Sequence, residues 1–344
     1  MTQIFLSDFG VFLGRKRNRF LVRRKGEQSE VVADDVDSIV FCTSGAGVST
    51  SALDLAIRNG IQVVLARYGG WPYGILMPTS MTGSVRARRE QFLAYNDKRG
   101  FILSRGFVLG KLSNQASILK LMAKNRKQTD PVLADKLYRA GREIDRIASS
   151  VSEREFKTID EGRQTLMNLE AEAAREYWQA VKQVLPAELG FEGRVTRGAK
   201  DPFNAMLNFG YQTVLFPEAW KAVTYAGLDP YAGFLHADRP GKPSLVLDVM
   251  EEFRQQTVDR TLIALIARNM IKPDEVLSKD KREGTTLSPE TLKLLLTSLQ
   301  ERLGTEVMFS GQRAPIRSLI HLQVRRAVRL LLGESDYEPF SLGW

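Results

Sequence analysis

Hydrophobic and polar positions change their period once along the chain. Up to residue 76, apolar residues come in short β-branched and aromatic runs, such as Ile61–Leu65, with polar turns between them. Runs of this kind are typical of β-strands. Two runs flank the basic turn at residues 14–19 and two more flank the glycine-rich segment 69–74, so each pair predicts a hairpin. A short helix is predicted to end near Ile57.

Beyond Ser84 the apolar positions recur about every four residues, which predicts helices. The predicted helices cover roughly 84–126, 130–151, 153–185, 203–226, 246–270, 287–303 and 314–332, with breaks at prolines that include Pro217. The charged segment 279–283 predicts an exposed loop, and residues 78–83 have the composition of a linker. The sequence therefore predicts an α+β fold with two domains: a small β-rich domain over residues 1–82, followed by a larger all-α domain over residues 83–344.

Charge and composition narrow the classes of partner. The chain has 344 residues, with 49 Lys and Arg against 40 Asp and Glu, and a net charge of +9. This excess favours a polyanion over a neutral metabolite, and basic clusters at 86–89, 124–127 and 325–329 are consistent with a phosphate-binding surface, although each alone is typical of a solvated helix face. The single Cys42 excludes an internal disulfide and a multi-cysteine zinc site. No leader or long apolar run is present, so we expect a cytoplasmic protein without membrane contact.

The stretch from Gly233 to Arg254 collects candidate metal ligands. It contains His236, one of only two histidines, then a proline- and glycine-rich turn, then a helical pattern that carries Asp248 and Glu251. Neutral imidazole and carboxylate oxygens suit a divalent ion that prefers oxygen. Acidic residues near a helix start also stabilise the helix dipole without any further function, so both interpretations stay open here.

A second carboxylate, Glu170, lies on the apolar face of a predicted helix. A carboxylate among apolar side chains is costly unless it is paired or bound to a metal, so the pattern predicts either a metal ligand or an ion pair with a neighbouring arginine. In the next helix, Asn204 and Tyr211 lie at helical spacing from each other. Helix capping and packing explain Asn204 and Tyr211. Alternatively, their side chains could hydrogen-bond to the ligands of a metal site and orient them.

Three stretches carry a resemblance to a known family. They read NLEAEAAREYW around Glu170, DPFNAMLNFGYQTVL from Asp201, and AGLDPYAGFLHADRPGKPSLVLDVMEEFR, which contains His236 and Glu251. In this order they resemble the CRISPR-associated integrase family, the universal first protein of spacer acquisition, which is also called an endonuclease. The match covers about residues 165–260, and the N-terminal half resembles the family's small β domain more weakly.

The resemblance implies a set of ligands and contacts. Glu170, His236 and Glu251 would hold Mn²⁺ or Mg²⁺, with Asp248 as an additional ligand or a supporting residue. Lys242, in the turn after His236, would contact a DNA phosphate, although a solvated loop explains it as well.

The resemblance also implies partners and a reaction. The protein would form a homodimer through its β-rich domain and join the small second CRISPR-associated protein. The complex would insert short double-stranded DNA fragments into repeat DNA by transesterification, and attack by water would make it an endonuclease. Two alternatives remain: a metal-dependent nuclease of branched DNA in repair, and a non-catalytic nucleic-acid scaffold in which Glu170 and His236 form a buried polar pair.

Overall fold

A computed structural model describes residues 2–67, 70–78, 83–196, 198–280 and 284–343. These residues belong to two compact units. The first unit comprises residues 1–81 with 278–286, and the second comprises residues 82–277 with 287–344. A strand-rich N-terminal region precedes a mostly helical C-terminal region, so the predicted α+β fold class is confirmed.

Two four-stranded sheets and one α-helix form the N-terminal segment of the first unit. One sheet has the strand order β1-β5-β7-β8 and the other has the order β4-β3-β2-β6. Their elements are β1 Thr2–Leu6, β2 Phe12–Lys16, β3 Arg19–Arg24, β4 Glu27–Val32, β5 Val36–Phe41, β6 Gly47–Val48, α1 Thr50–Arg58, β7 Gln62–Ala66 and β8 Pro72–Leu76. Side chains from both sheets and from α1 fill one core, including Leu6, Leu13, Phe20, Ile39 and Leu55. This burial of β-branched and aromatic residues is why the strand pattern was readable.

Both predicted hairpins form. Strands β2 and β3 pair antiparallel with Lys16 opposite Arg19, and Arg17 in the turn between them has a positive φ of 54°. Strands β7 and β8 also pair antiparallel, and residues 68 and 69 of their connection lie outside the described residues. Helix α1 begins after Ser49, whose hydroxyl accepts a hydrogen bond from the amide of Ala52, and this cap fixes its start.

The segment predicted as an exposed loop, 279–283, is partly strand. Strands β9 Leu277–Asp280 and β10 Gly284–Leu287 form a two-stranded sheet, and residues 281–283 lie outside the described part of the chain. The loop prediction was therefore wrong for the described residues. The charged composition of this segment did not reveal the strands, because β propensity depends strongly on the surroundings of a strand.

Helices dominate the second unit. They are α2 Val85–Ala94, α3 Lys98–Arg126, α4 Pro131–Ser152, α5 Ile159–Lys182, α6 Pro202–Phe209, α7 Phe216–Tyr225, α8 Ser244–Glu251, α9 Arg260–Ala267, α10 Pro289–Gly304 and α11 Ile316–Leu331. A short antiparallel hairpin, β11 Glu306–Phe309 with β12 Gln312–Pro315, lies between α10 and α11. The predicted helix over 84–126 is two helices, because the carboxylate of Asp97 caps a new start at Lys98.

Two π-helical turns join helices that the sequence predicted as continuous. Gly210–Leu215 links α6 to α7, and Gln255–Asp259 leads into α9. The break predicted at Pro217 is not present, because Pro217 lies in the first turn of α7 directly after a π turn, where its missing N–H is tolerated. Wide turns of this kind are frequent at functional sites.

The predicted linker at 78–83 falls largely outside the described residues, since 79–82 are not described. The boundary between residues 82 and 83 and the dimerising role of the β-rich domain stay predictions. Within the described residues, no helix has both the length and the apolar character needed to cross a membrane.

Candidate active site

Helix α3 is the central element of the site. It packs against α4, α5 and α8, so side chains from distant parts of the sequence meet along it. Gly110 allows the approach of α8, because a Cβ at this position would lie 2.8 Å from Cγ of Glu252. The next residue, Lys111, therefore extends its side chain between α5 and α8.

Glu170 of α5 and Glu251 of α8 converge on Lys111. The ammonium nitrogen of Lys111 contacts Oε1 of Glu170 and lies 2.7 Å from Oε2 of Glu251. The side chain of Glu170 is 22% exposed, whereas those of Lys111 and Glu251 are 13% and 7% exposed. Two of the three predicted ligands thus face the same cation. The partner of Glu170 is this lysine rather than the arginine that the sequence suggested.

Arg254 provides a second positive charge beside Glu251. Its Nη2 lies 3.2 Å from Oε1 of Glu251, one turn further along the chain. Burial alone would raise the pKa of Glu251, but the positive charges of Arg254 and Lys111 outweigh it and lower the pKa to about 2. Burial alone would also lower the pKa of Lys111, and here the charges of Glu251 and Glu170 raise it above its ordinary value. Both groups are therefore charged at neutral pH.

Asp248 determines the position of His236. It is fully buried, and its Oδ2 accepts hydrogen bonds from the amides of Phe234 and Leu235 at 2.8 and 3.0 Å. Its Oδ1 accepts from the amide of His236 at 2.9 Å and lies 2.7 Å from Nδ1 of the same residue. Because the carboxylate acts as an acceptor, Nδ1 carries a proton, and in the neutral imidazole Nε2 is then the nitrogen with the lone pair. Asp248 thus supports His236, and the direct pair of Glu170 with His236 is not formed.

Tyr211 supports the site through Arg254. Its ring lies under the guanidinium of Arg254 at 4.7 Å and under that of Arg194 at 5.3 Å, and its hydroxyl donates to Asp259. Tyr177 donates to the other oxygen of Asp259 at 3.0 Å. Burial raises the pKa of Asp259 to about 6, although the hydrogen bonds from both tyrosines oppose this shift. This buried polar group fixes the π turns next to Glu251.

Asn204, another candidate residue, lies apart from the two carboxylates and is hydrogen-bonded to its own surroundings. Both polar atoms of the Asn204 side chain are used locally: Oδ1 accepts from Arg194 and Val195, and Nδ2 donates to Gly193 and Asp201. Asn204 therefore fastens the preceding loop and has no remaining donor or acceptor for a ligand.

Lys242 lies in the turn that precedes α8. Burial lowers the pKa of its ammonium, and the charges of Asp248 and Glu251 act against that shift. Lys242 is therefore a partly buried residue whose ammonium interacts electrostatically with Asp248 and Glu251.

The donor set suits a hard divalent cation in its chemistry, with two carboxylates and one imidazole whose Nε2 is available. Oε2 of Glu251 is buried and has no hydrogen-bond partner, although the Lys111 ammonium is close, so one ligand atom is left without directed bonding. Among the residues that the structure describes, no three His, Cys, Asp or Glu side chains lie close enough to enclose a metal ion. The carboxylates are therefore brought together around an ammonium, and a metal ion would have to take its place.

Comparison with known proteins identifies the family. The family model for the CRISPR associated protein Cas1 matches residues 4–301. The chain is 39% identical to the CRISPR-associated endonuclease Cas1 1 of Archaeoglobus fulgidus, over 99% of this chain and all of that protein. The chain belongs to the Cas1 family. It is also 32% identical to the Cas1 endonuclease of Korarchaeum cryptofilum, over 97% of this chain and 95% of that one. The resemblance found in the sequence is confirmed.

Solved structures show that the fold is shared with this family and beyond it. A casposase bound to its integration product superposes with a TM-score of 0.81 at 22% identity, covering 99% of this chain and 93% of that chain. A Cas1 protein from Thermotoga maritima gives a TM-score of 0.77 at 22% identity, with 98% and 99% covered.

Several residues of this candidate site were not recognised in the sequence, namely Lys111, Arg254, Asp259 and Tyr177. A signal existed for Lys111, because it is the only charged residue between 106 and 119, in the middle of a long helix. A buried charge needs a partner, so a lone lysine in such a run points to a carboxylate elsewhere. The others had no comparable signal, because their roles depend on the π turns.

Proposed function

We propose that this chain is a metal-dependent DNA endonuclease and integrase of CRISPR adaptation. One observation supports this most: in a member of the Cas1 family, Glu170 and Glu251 from separate helices converge on one cation beside His236, which Asp248 holds. Relatives with this family name are called endonucleases, and a structural neighbour is a casposase bound to its integration product.

In the proposed site, Glu170, Glu251 and Nε2 of His236 hold Mn²⁺ or Mg²⁺. When bound, the ion lowers the pKa of the attacking hydroxyl and neutralises charge on the phosphate. Asp248 accepts the hydrogen bond of Nδ1 of His236, so Nε2 is the ring nitrogen that would hold the metal. Arg254 keeps Glu251 ionised and oriented.

The reaction we propose exchanges one phosphodiester for another. A 3′-hydroxyl of the incoming fragment forms a bond to a repeat phosphorus, and the bond from that phosphorus to the 3′-oxygen of the repeat strand breaks. The number of phosphodiester bonds is unchanged, so no nucleotide cofactor is needed. Water in place of the hydroxyl gives cleavage. Lys242 and the basic faces of the helical domain would contact the DNA backbone.

The proposed partners follow from the same family. Solved neighbours include complexes of Cas1 with Cas2, and of a Cas1 protein with DNA. We propose that this chain binds DNA and the small second protein, Cas2, and acts as a homodimer in the cytoplasm. Co-purification with Cas2 and light scattering on the isolated protein test these two assemblies separately.

Three variants test the catalytic proposal. Glu170→Gln and His236→Asn should lose more than about 100-fold in cleavage and strand joining, since each removes one metal ligand. Glu172→Gln is the matched control, because Glu172 lies on the same helix but is 44% exposed and pairs with Arg146. The substrate is a short duplex with free 3′-hydroxyls, together with a plasmid that carries repeats.

The products distinguish the alternatives. Joined fragment and plasmid indicate an integrase, whereas cutting of branched DNA without joined products would favour the repair nuclease. Full activity in either ligand variant would contradict the proposed site. Absence of Mn²⁺ binding in calorimetry would favour the scaffold.

A further inference from the structure

Lys111 donates a hydrogen bond to Glu170, whereas its contact with Glu251 is mainly electrostatic. Its ammonium lies 2.7 Å from Oε2 of Glu251, and this oxygen has no hydrogen-bond partner. The other oxygen of Glu251 contacts Arg254. Lys111 therefore acts on this carboxylate as a compact positive charge, which is the property that it shares with a metal ion.

Without Lys111, the two carboxylates would face each other in a partly buried space. Glu251 would keep Arg254, but Glu170 would lose its ion-pair partner. Like charges at short range in a low-dielectric region repel strongly, so a cation between them stabilises the metal-free protein.

A divalent ion and the ammonium cannot both lie between the same two carboxylates without strong repulsion. We propose that Lys111 is an internal counterion that holds Glu170 and Glu251 together in the metal-free protein, and that a divalent cation displaces it on binding. This inference rests on the proposed function, since it takes the same carboxylates as metal ligands. Lys111 is thus a positioning residue that sets the metal affinity by exchange.

Calorimetry on charge variants tests the exchange. Lys111→Met removes the charge with little change in side-chain length, and it should bind Mn²⁺ about tenfold more tightly than the wild type, because no ammonium has to be displaced. Lys111→Arg keeps the charge and should bind Mn²⁺ as weakly as the wild type. The metal-free Lys111→Met protein should also have a lower Tm and a larger rise in Tm with Mn²⁺.

Lys120 offers a matched control. It lies on the same helix α3, its side chain is likewise 13% exposed, and it pairs with Asp145, which is not part of the site. Lys120→Met therefore removes an equally buried charge of the same helix and should leave the Mn²⁺ affinity unchanged. If Lys120→Met gained as much Mn²⁺ affinity as Lys111→Met, the gain would be explained by the change in net charge alone. That result would overturn the role of Lys111.

A second measurement uses the wild type, in case Lys111→Met does not fold. Acetylation of lysines followed by mass spectrometry reports the reactivity of each ammonium group. Lys111 should be modified faster with Mn²⁺ than without, because it loses both carboxylates, whereas Lys120 should be modified at the same rate in both conditions.

The outcomes separate the two proposals. If the wild type binds no Mn²⁺, the proposed function fails, and this inference fails with it. If the wild type binds Mn²⁺ while Lys111→Met binds it equally or more weakly, or if the labelling of Lys111 does not change, only the exchange is refuted.

Discussion

Replacing Asp248 with asparagine should reverse the tautomer of His236. The amide oxygen of the introduced asparagine could replace only one of the two carboxylate oxygens. On one side lie the amides of Phe234 and Leu235, and on the other side lie the amide and Nδ1 of His236. Backbone amides can only donate, whereas an imidazole nitrogen can also accept. The asparagine NH₂ group should therefore turn toward His236, whose Nδ1 then accepts and whose proton moves to Nε2.

The cost in stability can be worked out from these four contacts. The amide of His236 would face another donor and lose its partner, which costs about 1–3 kcal/mol in a buried position. The two bonds to Phe234 and Leu235 would lose charge assistance, at roughly 1 kcal/mol each. The sum is about 3–5 kcal/mol, and at about 2–4 °C per kcal/mol for a unit of this size the Tm should fall by roughly 10 °C.

Nitrogen NMR measures the tautomer directly. The chain has only two histidines, so protein labelled with ¹⁵N in histidine gives two sets of ring signals, and a His321→Gln variant assigns them. The wild type should show the proton on Nδ1 of His236, and Asp248→Asn should show it on Nε2, with loss of Mn²⁺ binding. Asp238→Asn is the control, since Asp238 is exposed on the same segment. An Asp248→Asn protein that keeps the Nδ1 proton and the wild-type Tm would refute this account of the site.

Three further substitutions test other parts of the helical unit. Burial raises the pKa of Glu252 to about 8 from an ordinary 4.5. The stability that its protonated form contributes is therefore complete below pH 4.5 and is lost as the pH rises through about 8. Glu252→Gln should remove this loss of stability, as measured by urea denaturation across that pH range. Phe340 is fully buried and stacks on Phe253 at 4.5 Å, so Phe340→Ala should lower the free energy of unfolding by about 3–5 kcal/mol, and an unchanged urea midpoint would contradict the packing. A Cβ on Gly233 would lie 2.5 Å from Cβ of Ser244, so Gly233→Ala should shift the loop that contains His236. This shift should weaken binding of Mn²⁺ to the proposed site about tenfold in calorimetry, and an unchanged affinity would argue against a tight fit at Gly233.

The fold was readable from the sequence where structure is local. The period of apolar residues identified the long helices, and their limits agree with caps such as Asp130, which accepts from the amide of Leu133 at 3.0 Å. The hairpins followed from paired runs around polar turns. The π turn at Gly210–Leu215 could not be predicted, because a change from one hydrogen-bond register to the next leaves the apolar pattern almost unchanged.

The candidate site was readable only in part. The sequence pointed to Glu170 because a carboxylate on an apolar face needs a partner, and that reasoning was sound. The identity of the partner depends on how α3 packs on α5, since Lys111 is 59 residues away in the chain. His236 and Asp248 are separated by twelve residues, and a turn brings them together. Pairing at such distances is set by tertiary packing and is not visible in any local pattern.

The charges of the site explain why so many groups are buried together. Glu170 and Glu251 carry two negative charges, and Lys111 and Arg254 balance them in the metal-free protein. Under the proposed function, a bound divalent ion leaves this cluster with two excess positive charges as long as both cations remain charged. A DNA phosphate entering beside them supplies negative charge, and a displaced Lys111 ammonium could then pair with it. The same residues that balance the two carboxylates would thus favour binding of metal and DNA together over either alone, because each ligand neutralises the charge that the other leaves unpaired.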